Sequence, residues 1–254
     1  MSKASNRRRS RRERFEREEL EQSNNVVAFN TGSKQPLIRP VYCQPKNEKQ
    51  QLHMDLIDEC DITVAHGYAG TGKTHITCRV AAEYYRKGLV TEIWITRPNE
   101  VVGKTMGYLP GTAEEKLQFL FAPMLNDLKK AVGDHAFKYM IENKKIKIMP
   151  MEYIRGMSLG TDKEPVFIIV DEAQNVDTEL MISLLTRFGA GKMVFCGDPR
   201  QKDVKVSGLE WLINHCKAHD LGIGFVKYEV EDCVRSGFVK DFLKSLLDSG
   251  YYKL

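Results

Sequence analysis

Short apolar runs alternate with longer stretches of helical periodicity through most of the chain. Runs at Ile62 to Ala65, Thr91 to Thr96, Ile146 to Met149, Val166 to Val170, Met193 to Cys196 and Gly224 to Glu229 predict strands. Helical spacing predicts helices from Asn47 to near Asp61 and over Lys73 to Arg86, Ala113 to Val132, Thr178 to Phe188, Gly208 to His219 and Gly237 to Leu247. The strand runs are continuously apolar rather than alternating, the pattern of a parallel sheet buried on both faces by helices. The expected fold is therefore an α/β three-layer α/β/α sandwich with a mostly parallel sheet. Ahead of it, short apolar stretches are punctuated by Gly32, Pro36, Pro40 and Pro45, which reads as an extended arm. The organisation expected is a basic, disordered tail over 1–24, an arm over 25–45 and one domain over 46–254.

Length and composition bound this picture. With 254 residues, 42% of them apolar, the chain has material for one large core or two small ones. No apolar run approaches the roughly 20 residues that cross a bilayer. The start, MSKASNRRRSRRERF, has no apolar stretch after its charges and does not read as a secretory signal. A soluble, cytoplasmic protein is the expectation. The formal charge is +4, but residues 1–12 alone carry +6, which leaves −2 for the remainder. The arginine-rich tail reads either as a phosphate-contacting arm for nucleic acid or as a solubilising one. Six scattered cysteines without a C-x-x-C pair read as reduced thiols rather than a disulfide or zinc framework.

The strongest chemical signal is Gly67-Tyr68-Ala69-Gly70-Thr71-Gly72-Lys73-Thr74, a full match to the phosphate-binding P-loop pattern. Chance would produce it in roughly one chain in a hundred of this length. Here it also follows a predicted strand and opens a predicted helix, where backbone N–H groups and the helix N-terminus face a phosphate. Lys73 is expected on the β- and γ-phosphates of a nucleotide and the Thr74 hydroxyl on Mg²⁺. The strand at Val166 to Val170 ends in Asp171-Glu172-Ala173-Gln174. Asp171 suits the metal and Glu172 suits a general base for water, although two acids also favour a helix start. The next strand ends in Gly197-Asp198-Pro199-Arg200-Gln201, a turn that places Gln201 to sense a terminal phosphate.

DEAQ followed by GDPRQ resembles motifs II and III of superfamily-one helicases. The order of KNEKQ, GYAGTGKT, ITRPNEVVGKTMGYLPG, EYIRGMSL, FIIVDEAQN, FCGDPRQ and VEDCVRS resembles the PhoH family of RecA-like P-loop ATPases, from about Pro45 to Leu247. The resemblance implies ATP and Mg²⁺ as cofactors and ATP hydrolysis coupled to RNA or single-stranded DNA. It implies adenine recognition by Gln50, as in the helicase Q motif, and a γ-phosphate role for Arg235, acting in its own subunit or across an interface. One RecA-like unit rather than two also implies a homo-oligomer, plausibly a ring, and the compact form with a basic tail would suit a phage-encoded protein.

Other readings remain open on the residues alone. A stand-alone nucleotide switch or signalling ATPase would need no polymer, but the base-reading N-K-x-D of GTP switches is incomplete at Asn143-Lys144-Lys145-Ile146. A small-molecule kinase would want an arginine-rich lid, whereas the arginines cluster in the tail. Arg97, Lys104 and Arg155 stand as contacts to a nucleic-acid backbone or as solvated or salt-bridged side chains. His215 and His219 flank Cys216 on one helix but lack a third ligand at recognisable spacing, so they read as helix-surface residues.

Overall fold

The computed structural model describes residues 36–98, 113–154 and 156–250, with side chains left aside at 113–119 and at Glu152. The tail, Lys104 and Arg155 lie outside the described residues. Strands β1 (Ile62–Gly67), β2 (Glu92–Arg97), β3 (Ile146–Pro150), β4 (Val166–Val170), β5 (Gly191–Gly197) and β6 (Gly224–Tyr228) form one sheet in the order β3-β2-β4-β5-β1-β6. Every pairing among them is parallel, with Ala65 opposite Cys196 and Trp94 opposite Ile168 in register.

Parallel strands need crossovers, and helices supply them on both faces. Along β4, Phe167 and Ile169 pack into one apolar layer while Val166, Ile168 and Val170 pack into the other, so the strand is buried on both sides. The first layer contains α1 (Glu48–Glu59), α2 (Lys73–Arg86), α3 (Ala113–Val132) and α4 (Asp134–Glu142), through residues such as Ile57, Ile76, Leu128 and Met140. The second contains α5 (Met151–Ile154), α6 (Thr178–Arg187) and α7 (Gly208–His219), through Met151, Leu184 and Leu212. A smaller cluster of Tyr68, Val230, Cys233 and Leu243 seats α8 (Gly237–Asp248).

The expected three-layer sandwich is thus the fold, and its sheet arrangement is RecA-like, with β5 between the P-loop strand β1 and the acidic strand β4. Two short elements escape the periodicity reading. Helix α4 follows α3 after Gly133, whose φ of 85° breaks the helical run, and α5 is a single turn. All six cysteines are free, and among the described residues no helix is long and apolar enough to cross a membrane. His215 stacks on Trp211 at 4.9 Å and meets the His219 ring at 4.6 Å with the planes tilted by 48°, and no cluster suited to a metal of three or more His, Cys, Asp or Glu occurs among the described residues.

Candidate functional site

Strand β1 delivers the P-loop to the C-terminal edge of the sheet. Gly67 has φ 127°, and a Cβ there would lie 2.0 Å from the Tyr228 carbonyl oxygen of β6, so only glycine lets the two strands close up. Tyr68 is buried beneath the loop, with the Arg200 guanidinium carbon 3.1 Å from its ring centroid. The Thr71 hydroxyl donates to the Tyr68 carbonyl at 2.9 Å. Gly72, at φ 88°, then turns the chain into α2.

The Lys73 ammonium sits at the centre of this curl. Its Nζ donates to the carbonyls of Gly67 and Tyr68, both at 2.7 Å. Burial pushes the Lys73 pKa below its usual value, while Cys196, Asp198, Asp171 and Glu172 pull it the other way. One residue on, the Thr74 hydroxyl donates to Asp171 Oδ1 at 2.8 Å across the gap between α2 and β4. Burial raises the Asp171 pKa and the neighbouring Glu172 charge adds to it, against the Thr74 hydrogen bond. A hydroxyl and a buried carboxylate side by side are hard oxygen donors of the kind Mg²⁺ takes.

Glu172 leaves the strand in a left-handed conformation, φ 50° and ψ 39°. It heads a single 3-10 turn, Ala173–Asn175, whereas α6 begins at Thr178 and is capped by Asp177. The acids therefore do not start the next α-helix. Glu172 Oε2 accepts from Gln174 Nε2 at 2.7 Å, and Glu172 Oε1 lies 3.9 Å from Arg97 Nη2. Arg97 is anchored through Nη1 to the Leu120 carbonyl at 3.1 Å. The Gln174 side chain, 1% exposed, reaches the next strand, where its Oε1 accepts from Asp198 N at 3.1 Å. Asp198 in turn accepts from Arg200 Nε at 2.9 Å and from Gln201 Nε2 at 3.0 Å. The acidic strand, the P-loop and the turn after β5 are thereby tied into one network.

These groups surround a cleft of about 540 Å³, within the range of small-molecule sites. Gln50, Ala69, Gly70, Gly72, Lys73, Thr74, Asp171, Glu172, Gln201 and Arg235 all line it. Gly67, Tyr68 and Thr71, the other residues of the loop, are not among those that line the cleft. Arg235 lies against its own chain: its stem would sit 3.0 Å from a Cβ at Gly70, and Val234 N donates to the Gly70 carbonyl at 3.0 Å. Gln50 Nε2 donates to the Thr71 carbonyl at 2.9 Å. Arg97, expected on a polymer backbone, in solvent or in a salt bridge, takes the last of these and turns its guanidinium into the cleft beside Glu172. Gln174 and Asp198 are the residues that reading the motifs left without a role, although both stand inside DEAQ and GDPRQ.

Known proteins show the same affinities. The chain is 35% identical over 162 residues to the PhoH-like protein of Mycobacterium tuberculosis strain H37Rv, covering 63% of this chain and 45% of that one. It is 31% identical over 204 residues to the PhoH-like protein of Bacillus subtilis strain 168, covering 79% and 62%. Among solved structures, the Pif1 helicase of Candida albicans aligns with a TM-score of 0.40 and 17% identity, covering 79% of this chain and 43% of that one. The chain spans about half the length of the curated relatives it matches. The family model for PhoH-like proteins matches residues 42–246, and the chain belongs to that family.

Proposed function

We propose that this chain is a Mg²⁺-dependent ATPase whose turnover is coupled to RNA or single-stranded DNA. The observation that carries the reading is the meeting of Lys73, Thr74, Asp171 and Glu172 at one cleft, from elements 97 residues apart in sequence. The loop N–H groups and Lys73 bind phosphate oxygens, and Lys73 exchanges its two carbonyl partners for them. Mg²⁺, held by Thr74 and Asp171, supplies charge neutralisation on those oxygens. Glu172 takes the proton of the attacking water, and Gln201, tethered to Asp198, orients that water or the terminal phosphate. Arg235 adds positive charge beside Gly70 in its own subunit.

Coupling to a polymer is supported by the helicase-like DEAQ and GDPRQ motifs and by the +6 charge of residues 1–12. Homo-oligomeric assembly belongs to the same reading by resemblance, although an Arg235 packed on its own loop does not require it. The test is ATP hydrolysis by the wild type, Lys73→Ala and Glu172→Gln, each with and without RNA, single-stranded DNA and duplex DNA. Lys73→Ala loses nucleotide binding, whereas Glu172→Gln binds ATP and loses turnover. Wild-type hydrolysis indifferent to all three polymers would favour a nucleotide switch over a remodelling enzyme. Two variants that both hydrolyse ATP at the wild-type rate would refute the site.

A further inference from the structure

Gln50 is the glutamine that the helicase resemblance assigns to adenine, yet both ends of its amide already serve the main chain. Its Oε1 accepts from Lys46 N at 2.8 Å, and its Nε2 donates to the Thr71 carbonyl at 2.9 Å. Turning the amide over would set its NH₂ against the Lys46 N–H and its oxygen against the Thr71 oxygen, so the orientation is dictated by two partners at once. The side chain is 2% exposed, and a Cβ on Gly72 would lie 2.7 Å from Nε2. The contact is thus with the crest of the P-loop, at the residue pair that leads into Lys73.

The surrounding turn is built to hold this position. Asn47 caps α1 by accepting from Gln50 N at 2.9 Å, and its Nδ2 donates to the Asp232 carbonyl at 3.1 Å. The segment beyond Asp232 then returns to the loop through Val234 N and the Gly70 carbonyl. The crest from Gly70 to Gly72 is therefore gripped from one side by the first turn of α1 and from the other by the segment carrying Arg235.

We propose that Gln50 is a positioning residue for the P-loop, acting on the phosphate end of any nucleotide whatever its base. Fixing the Thr71 carbonyl fixes the peptide plane whose far side is the Gly72 N–H, and hence the direction in which the loop's donors point. Selectivity for adenine, where the protein shows it, then comes from elsewhere in the cleft. This inference rests on the reading of the cleft as a nucleoside triphosphate site.

The experiment compares ATP, GTP and Mg²⁺-tripolyphosphate, a ligand with the phosphates and no base, in the full chain. In Gln50→Ala the affinity for all three falls by a common factor, roughly tenfold for one buried amide–carbonyl contact. The loss appears in KM, with kcat within about threefold, whereas a general loss of folded protein would lower kcat alone. Gln50→Glu keeps the acceptor for Lys46 N but faces the Thr71 oxygen with a carboxylate. It fails to restore tripolyphosphate binding, and its matching volume gives the same readout should the alanine variant not fold. Weakened ATP binding with unchanged tripolyphosphate binding would overturn the inference in favour of base reading, as would unchanged affinity for all three ligands. A wild-type chain that binds neither ATP nor tripolyphosphate would instead overturn the nucleotide-site reading itself.

Discussion

Replacing Gln174 by Met removes both amide contacts while keeping side-chain length. The site is 1% exposed, so no water takes over. Two effects follow from the geometry. The 2.7 Å donation to Glu172 goes to a carboxylate, and a hydrogen bond to a charged group contributes about 1.5–3 kcal/mol. The Asp198 N–H loses its 3.1 Å acceptor inside the protein, which costs about 1–3 kcal/mol. Offset by the added apolar burial of the methionine, the net loss of stability is about 2–4 kcal/mol. In the reaction, Glu172 keeps, among the described residues, only the Arg97 contact at 3.9 Å to aim it. A base that loses its anchor costs about 10- to 100-fold in kcat, or roughly 1.4–2.7 kcal/mol of barrier. KM stays within about threefold, because Lys73, Thr74 and Asp171 are untouched. Urea denaturation measures the first effect and steady-state phosphate release the second. In a Glu172→Gln background, adding Gln174→Met produces little further loss of kcat, since the base it would aim is already gone. The full stability loss with wild-type kcat would refute the reasoning and reduce Gln174 to a packing residue.

Acid should destabilise the fold through two histidines. Burial, with nearby lysines adding to it, pushes His53 down to about 3 and His66 down to about 4. Both bind fewer protons folded than unfolded, so their contribution is whole above about pH 6.5 and is lost as pH falls toward 4 and then 3. Between pH 7 and pH 5 each accounts for about 2 kcal/mol in urea denaturation, and a total drop below about 1 kcal/mol would refute the assignment. Deleting residues 1–14 leaves basal ATPase unchanged but weakens nucleic-acid binding, lowering the log-log salt slope by roughly 0.7–0.9 per lost phosphate contact; an unchanged slope makes the tail a solubility device. Mixing inactive Lys73→Ala and Arg235→Ala subunits should restore no activity, because Arg235 lies on its own Gly70; recovery after demonstrated subunit exchange would place the arginine across an interface.

What the sequence discloses is local, and what it conceals is brought about by the sheet. The P-loop is legible because its strand, glycines and helix are contiguous, and β1 and α2 occupy Ile62–Gly67 and Lys73–Arg86 as the pattern requires. The apolar run of β4 likewise announces burial on both faces. Strand order is invisible to periodicity, so nothing in the residues places β5 between β1 and β4. That placement brings Asp198 to Gln174 and hence the turn after β5 to Glu172. Arg97 illustrates the same limit: the residues alone leave a basic side chain at a strand end equally free to meet a polymer, solvent or a salt bridge, and the 3.1 Å contact to Leu120 of α3 is what turns it inward to Glu172. Helix α4 was hidden because Gly133 interrupts the apolar spacing that continues through Ala136 and Met140.

The left-handed backbone at Glu172 also has a bearing on how this protein can be stabilised. A side chain with a Cβ is held there at a conformational cost of about 1–2 kcal/mol, which the neighbouring β4 and the 3-10 turn impose on it. Glycine would relax the turn, yet it would also remove the carboxylate proposed above as the base for the attacking water. Screens that select for thermal tolerance alone should therefore drift toward Gly or Asn at position 172, yielding sturdier molecules that hold nucleotide and leave it intact. Rigidity and turnover compete here at a single φ angle.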